Sequence, residues 1–173
     1  MIQPINFQKW VEENRHLFKP PVGNKCIYDG DFIVMVVGGP NSRKDYHFQE
    51  GPEFFYQVEG DIEVGLIEDG KPRLVKIKEG EVFYVPSRVP HSPRRPAGTI
   101  GMVIERKRFE NEQDGFQWYC EKCGTKLHEK FFKLENIVTQ LPPILEEFYS
   151  STDLRTCKSC GYVMEPPAKP KTD

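Results

Sequence analysis

"DYHFQEGPEFFYQVEG", residues 45–60, sets polar side chains with metal-ligating chemistry against a strand-like run. It holds a histidine, His47, then a carboxylate, Glu53, and then a run that reads as a β-strand. Further on, "GEVFYVPSRVPHSPRRP", residues 80–96, ends a second apolar strand and sets a second histidine, His91, between prolines. Taken alone, each histidine is an ordinary strand-end residue. Taken together, His47, Glu53 and His91 are two imidazoles and one carboxylate, the donor set of an open iron(II) site that leaves three coordination positions free. A tight loop can bring His47 and Glu53 to one point at the mouth of a barrel, and the third ligand must then come from another strand.

The surroundings agree with a barrel. From about residue 25 to residue 106 the chain is a succession of short β-branched and aromatic runs: "DFIVMVVG", "EFFYQVEG", "DIEVGLIE", "RLVKIKEG", "EVFYVP" and "TIGMVIER". Glycine, proline and aspartate punctuate them, and "EDGK" at 68–71 has the chemistry of a tight hairpin. No segment leaves room for a helical crossover, so the pattern predicts a mainly β sandwich or small barrel. Ahead of it, residues 6–18 predict an amphipathic helix capped by Asn6, with Phe7, Trp10, Val11 and Leu17 on one face.

The rest divides by composition. Residues 107–115, "KRFENEQDG", are polar and read as a linker after a domain of residues 1–106. Residues 116–162 form a second unit, with a helix expected to start at Pro142–Pro143. Residues 163–173 have little to bury and read as a disordered tail. Within the second unit stand two C-x-x-C-G knuckles, Cys120/Cys123 and Cys157/Cys160. Four thiolates at this spacing suit one tetrahedral zinc or iron. The fifth cysteine, Cys26, reads as a buried small apolar residue. An odd cysteine count at these spacings points to a reducing compartment. His16 and His128 read as bystanders, since the thiolates complete the second metal by themselves.

Net charge is −2 over 173 residues, with no basic surplus to hold nucleic acid or an anionic membrane. No run has signal-peptide or membrane-spanning character, so a soluble cytoplasmic protein is expected. Three further residues stand near the half-motifs. Arg43 and Arg95 can grip a carboxylate or meet developing negative charge. Glu105, at the end of an apolar run, can accept a proton.

The spacings E-x6-G from Glu53 to Gly60 and G-x5-P-x4-H from Gly80 through Pro86 to His91 resemble the two half-motifs of the cupin superfamily. Asp45 stands where a cupin usually has its first histidine, and Arg88 where it usually has a glycine. Asp45 is thus either a weak fourth ligand or a partner of a ligating imidazole. The phrases "VVGGPNSRKDYH", "EFFYQVEG", "PSRVPHSPRRP", "VIER" and "WYCEKC" resemble the 3-hydroxyanthranilate 3,4-dioxygenase family over nearly the whole chain.

That resemblance implies a single cupin barrel with a C-terminal rubredoxin-like unit, and a homodimer. It implies an extradiol-type dioxygenase that opens 3-hydroxyanthranilate with O2 to a muconate semialdehyde, on the kynurenine route from tryptophan to quinolinate and NAD. It also implies iron(II) on His47, Glu53 and His91, oxygen beside Arg43, and substrate held by Arg95 and Glu105, with Glu53 in contact. The second iron or zinc falls on the four cysteines, apart from the chemistry. Two other readings use the same parts: another metal-dependent cupin enzyme, or a small-molecule sensor with a zinc ribbon.

Overall fold

Two antiparallel sheets face each other, and what they enclose positions the site. The computed structural model describes residues 3–18, 23–41, 43–135 and 137–167. The first sheet takes β1 (Asn24–Asp29), β2 (Phe32–Gly38), β4 (Glu53–Glu59), β7 (Val82–Val85) and β9 (Ile100–Arg106), in the order β1-β2-β9-β4-β7. The second takes β3 (Tyr46–Phe48), β5 (Ile62–Glu68), β6 (Lys71–Ile77), β8 (His91–Arg94), β10 (Asp114–Tyr119) and β11 (Lys126–Phe132), in the order β11-β10-β3-β8-β5-β6. This is the expected cupin barrel with its N-terminal helix. Phe55, Ile62, Val64, Leu66, Ile77, Val85 and Val103 fill the space between the sheets. Alternation along the strands does this: on β4, Glu53, Phe55 and Gln57 point in. The hairpin at 68–71 forms as expected, with Asp69 and Gly70 at φ +49° and +73°, and β5 and β6 pair without a break from Ile62↔Ile77 to Glu68↔Lys71.

Three strands of the barrel, β1, β3 and β8, have no clear sequence signal. β3 is three residues long, and β8 contains Pro93. That proline is tolerated because β8 pairs with β3 only at His47↔His91, so the missing N–H falls where the ladder has ended. β1 is an edge strand, and Cys26 on it is exposed, with its thiol 3.1 Å from the carbonyl of Tyr28. The expectation of a buried Cys26 is therefore corrected: an edge strand at this position has no layer over it.

The helix α1 spans Phe7–Asn14, and Asn6 caps it by accepting from the backbone N–H of Lys9. A 3₁₀ turn, Arg15–Leu17, follows. Its tighter winding shifts the phase of the apolar face. Leu17 is exposed as a result, and Phe18 takes its place beside Val11, Val36 and Ile100.

β10 begins at Asp114, inside the polar stretch 107–115, and pairs with β3, so the second sheet runs on without a gap into the cysteine-bearing region. There Trp118 stacks on Phe148 at 4.3 Å between ring centroids, over a core with Phe116, Ile144 and Met164. The helix α2 spans Ile137–Ser150, so Pro142 and Pro143 lie within it and do not start it. The Gln140 side chain closes the turn before them: it accepts from the N–H of Glu135 and donates to the carbonyl of Lys133. A short helix, α3 (Thr152–Arg155), leads to the second knuckle. Of the expected tail, Met164 is buried and Val163 bridges Thr156, which corrects its first residues, while 168–173 lie outside the described residues. Among the described residues no helix is long and apolar enough to cross a membrane.

Candidate metal centre

Register brings the triad together. β3 and β8 place His47 directly opposite His91, and β4 of the other sheet brings Glu53 across the barrel mouth. His47 Nδ1 lies 3.2 Å and His91 Nε2 3.0 Å from the same oxygen, Oε1 of Glu53. The three donor atoms all lie within 4.8 Å of one another.

The far nitrogen of each ring is anchored. His91 Nδ1 donates to the carbonyl of Val89 at 2.9 Å, and His47 Nε2 lies 2.6 Å from the buried carboxylate of Asp114. Each imidazole therefore turns its bare nitrogen to the centre, the arrangement by which metal-binding histidines are held. Gln49 donates from Nε2 to Glu53 Oε1 at 2.8 Å and fixes the carboxylate. Two neutral imidazoles and one carboxylate fit a divalent metal that keeps open positions.

The electrostatics describe the site before a metal enters. Burial disfavours a charged His47, but Asp114 and Glu53 outweigh it and raise the imidazole to about 9. Burial likewise disfavours the Glu53 carboxylate, yet the imidazoles of His91 and His47 hold its pKa well below the usual range. A cation is favoured at this point whether it is a proton or a metal.

Asp45 takes neither of the roles left open for it. It is buried, but it turns from the triad to Arg43, which donates from Nε to Oδ1 at 2.9 Å and pairs through Nη2 with Oδ2. The guanidinium of Arg43 lies over the Phe116 ring at 5.1 Å. Arg88 explains its own departure from glycine. Its φ is +64°, in the left-handed region that favours glycine. Bonds from its N–H to the Gln49 carbonyl and from Nε to Glu50 hold it there.

The triad opens on a cavity of about 340 Å³. Ile33, Met35, Val37 and Val103 line one side, and Arg43, Arg95 and Glu105 also reach it, so all the expected site residues of the barrel meet in one place. Arg95 is buried, 3% exposed, and among the described residues its side chain makes one hydrogen bond, from Nη1 to Gln57 Oε1 at 3.2 Å. Burial lowers its pKa to about 10, opposed only by the charge of Glu53. Glu105 sits directly opposite Glu53 on the neighbouring strand. Burial first, and then the charge of Glu53, raises its pKa above the usual carboxylate range. The sequence reading missed Gln49, Arg108 and Asp114. Only the register of β10 against β3 could have revealed the last two.

The four cysteine sulfurs form the second cluster, with Cys120–Cys160 at 3.6 Å and Cys123–Cys157 at 3.5 Å. A tetrahedral metal with ~2.3 Å bonds to sulfur has sulfurs ~3.8 Å apart, so the set fits one ion. The hydroxyl and backbone N–H of Thr125 hold the Cys123 thiol down at about 6, toward the thiolate a metal needs. His128 is not part of it and stacks on Trp118.

Residues 1–149 match the family model described as 3-hydroxyanthranilic acid dioxygenase. The chain belongs to that family. A relative from Xanthomonas campestris pv. campestris (strain B100), curated as 3-hydroxyanthranilate 3,4-dioxygenase, is 54% identical over 169 residues, 98% of this chain and 96% of its own length. Relatives of the same curated name from Burkholderia cenocepacia and Neurospora crassa are 49% and 45% identical, over 99% and 96% of this chain and 97% and 93% of their own. Among solved structures, a Neisseria meningitidis protein superposes with a TM-score of 0.50 at 24% identity, covering 61% of this chain and all of its own. That likeness speaks to the fold alone.

Proposed function

We propose that the chain is a 3-hydroxyanthranilate 3,4-dioxygenase, opening the ring of 3-hydroxyanthranilate with O2 to give 2-amino-3-carboxymuconate semialdehyde, the precursor of quinolinate. One observation carries the reading: an open two-histidine, one-carboxylate triad shares a cavity with a buried arginine that has no carboxylate partner among the described residues. A substrate carboxylate supplies that partner. The family membership and the shared name of the curated relatives agree.

His47, Glu53 and His91 hold iron(II), which supplies the one-electron chemistry that lets dioxygen react with an aromatic ring. Arg95 binds the substrate carboxylate as a charge-assisted pair. Ile33, Met35, Val37 and Val103 give the ring an apolar wall and keep water from its face. Glu105, its pKa raised, accepts the hydroxyl proton. Arg43, held in place by Asp45, presents positive charge to the oxygen side of the cavity. Both oxygen atoms end in the product, and the substrate supplies every electron, so no external reductant is required. The test is oxygen consumption with 3-hydroxyanthranilate after anaerobic loading with iron(II). A loaded protein that consumes none sinks the reading.

The thiolate cluster holds a second iron or zinc with a structural role. Cys120→Ser is expected to lose that metal and to lower the melting temperature, while iron-loaded turnover stays within about threefold of wild type. Metal analysis and oxygen uptake check it together, and loss of turnover with the triad loaded contradicts it. A reducing compartment, the cytoplasm, suits five cysteines of which none is disulfide-bonded.

The partner we assign is a second copy. On the outer face of the first sheet, Tyr28, Val34, Ile104, Phe54 and Tyr84 are paired neighbour to neighbour across all five strands. Tyr28, Phe54 and Tyr84 are exposed, and such an apolar band on a sheet marks an interface. Phe54→Lys with Tyr84→Lys is expected to turn a dimer into a monomer in sedimentation. An unchanged mass contradicts the assignment.

A further inference from the structure

The polar stretch 107–115 carries no motif, yet it enters the site through Arg108. This guanidinium is largely buried and its fork is filled. Nε donates to Asp114 Oδ1 at 3.0 Å, Nη2 donates to Asp114 Oδ2 at 2.8 Å, and Nη1 donates to Glu105 Oε1. The same Oδ2 of Asp114 lies 2.6 Å from Nε2 of His47. One side chain therefore stands between a metal ligand's support and the carboxylate on the substrate side of the cavity.

Charge explains why a cation is needed here. Glu53 and Glu105 are direct cross-strand neighbours, and like charges so placed repel. Asp114 adds a third carboxylate, buried, behind His47. Without a cation, Glu105 is pushed away from Glu53, and the buried charge of Asp114 is left with His47 as its one remaining partner among the described residues. The segment that brings Arg108 in is built for the purpose. Arg106 pairs with Glu112, Glu112 accepts the N–H of Phe109, and Arg106 stacks over the Phe109 ring at 4.4 Å. These contacts close the seven residues between β9 and β10 into a loop with a fixed path.

We propose that Arg108 is a positioning residue of the site: a single guanidinium sets Glu105 at the cavity wall and Asp114 behind His47, so the substrate-side carboxylate and the metal-side imidazole are oriented together. The proposal rests on the reading of Glu105 as facing substrate. An arginine suits it because its planar fork offers fixed donors to two carboxylates at once, which a lysine cannot do.

The test has two readouts. Cobalt(II) titration against a chelator reads the His47–Glu53–His91 site without turnover, and the thiolate site is told apart by its intense sulfur-to-cobalt bands. Arg108→Met is expected to weaken cobalt at the triad about tenfold and leave the thiolate site unchanged. In iron-loaded protein it is expected to lower kcat/KM about 100-fold in the wild-type background, but less than tenfold in a Glu105→Gln background, because the two residues act as one unit. Wild-type cobalt affinity in Arg108→Met, or losses that multiply in the double variant, overturns the proposal. Should Arg108→Met fail to fold, Arg108→Lys serves, with cobalt weakened at least about threefold at an unchanged melting temperature; full affinity there overturns it equally. Failure of the function reading looks different. Wild-type protein then consumes no oxygen with 3-hydroxyanthranilate, while the cobalt measurement still decides whether Arg108 supports the triad.

Discussion

Glu53→Ala is expected to abolish ring cleavage and to empty the triad of metal, while the thiolate metal stays in place. Glu53 is the one residue on which the centre converges, since His47 and His91 both face its Oε1. Removing it takes away the only anionic ligand and leaves two imidazoles, which hold a divalent ion weakly. The metal supplies several kcal/mol of stabilisation to such reactions, so the loss in kcat is at least on the order of 10³-fold. The stability of the metal-free protein is expected to fall as well. There the imidazoles of His91 and His47 hold the Glu53 carboxylate well below its usual range, so its deletion removes a favourable buried pairing that outweighs the repulsion from Glu105. Iron analysis by mass spectrometry, oxygen uptake and a melting curve on one preparation check the three parts. Retention of both iron and activity in Glu53→Ala refutes the site assignment outright.

The triad was legible in the sequence because its signal is one of spacing. Two half-motifs separated by alternating strands specify ligands even though their contact is long-range. The thiolate site was legible for the same reason, since each knuckle is local. The supports of the triad were not legible. Asp114 and Arg108 lie in a run so polar that it reads as a linker, and nothing local says that it folds over the barrel mouth. Their place depends on β10 pairing with β3, and a register shift of one residue would turn Asp114 away from His47.

Asp45 is the opposite case, a motif position overruled by a local contact. Its position in the motif suggested a metal role, but its nearest cation is Arg43, two residues before it, and a local ion pair won. Arg88 shows how a departure from a family pattern can keep the backbone shape and change the residue. The turn at Arg88 is left-handed, φ +64°, and bonds to Gln49 and Glu50 hold it on the loop that leads into His91.

Arg95→Met is expected to separate binding from stability. Arg95 is buried with a neutral partner, Gln57, and among the described residues no carboxylate forms an ion pair with it. A charge in that condition costs folding free energy, and burial accordingly lowers its pKa to about 10. Methionine keeps the apolar stem and removes the charge, so the melting temperature is expected to hold or rise. Substrate binding moves the other way. Truncating one side of a desolvated charge pair costs about 2–5 kcal/mol, which places the loss of kcat/KM for 3-hydroxyanthranilate on the order of 10²–10³-fold. The substrate provides its own control. 2-Aminophenol keeps the adjacent hydroxyl and amine but has no carboxylate, so wild-type protein should turn it over poorly and Arg95→Met should turn it over no worse than wild type. A large loss on both substrates would make Arg95 a structural residue. A large loss on the carboxylate substrate alone identifies the charge that Arg95 waits for, because only a ligand carboxylate can account for a penalty that vanishes when the carboxylate is removed.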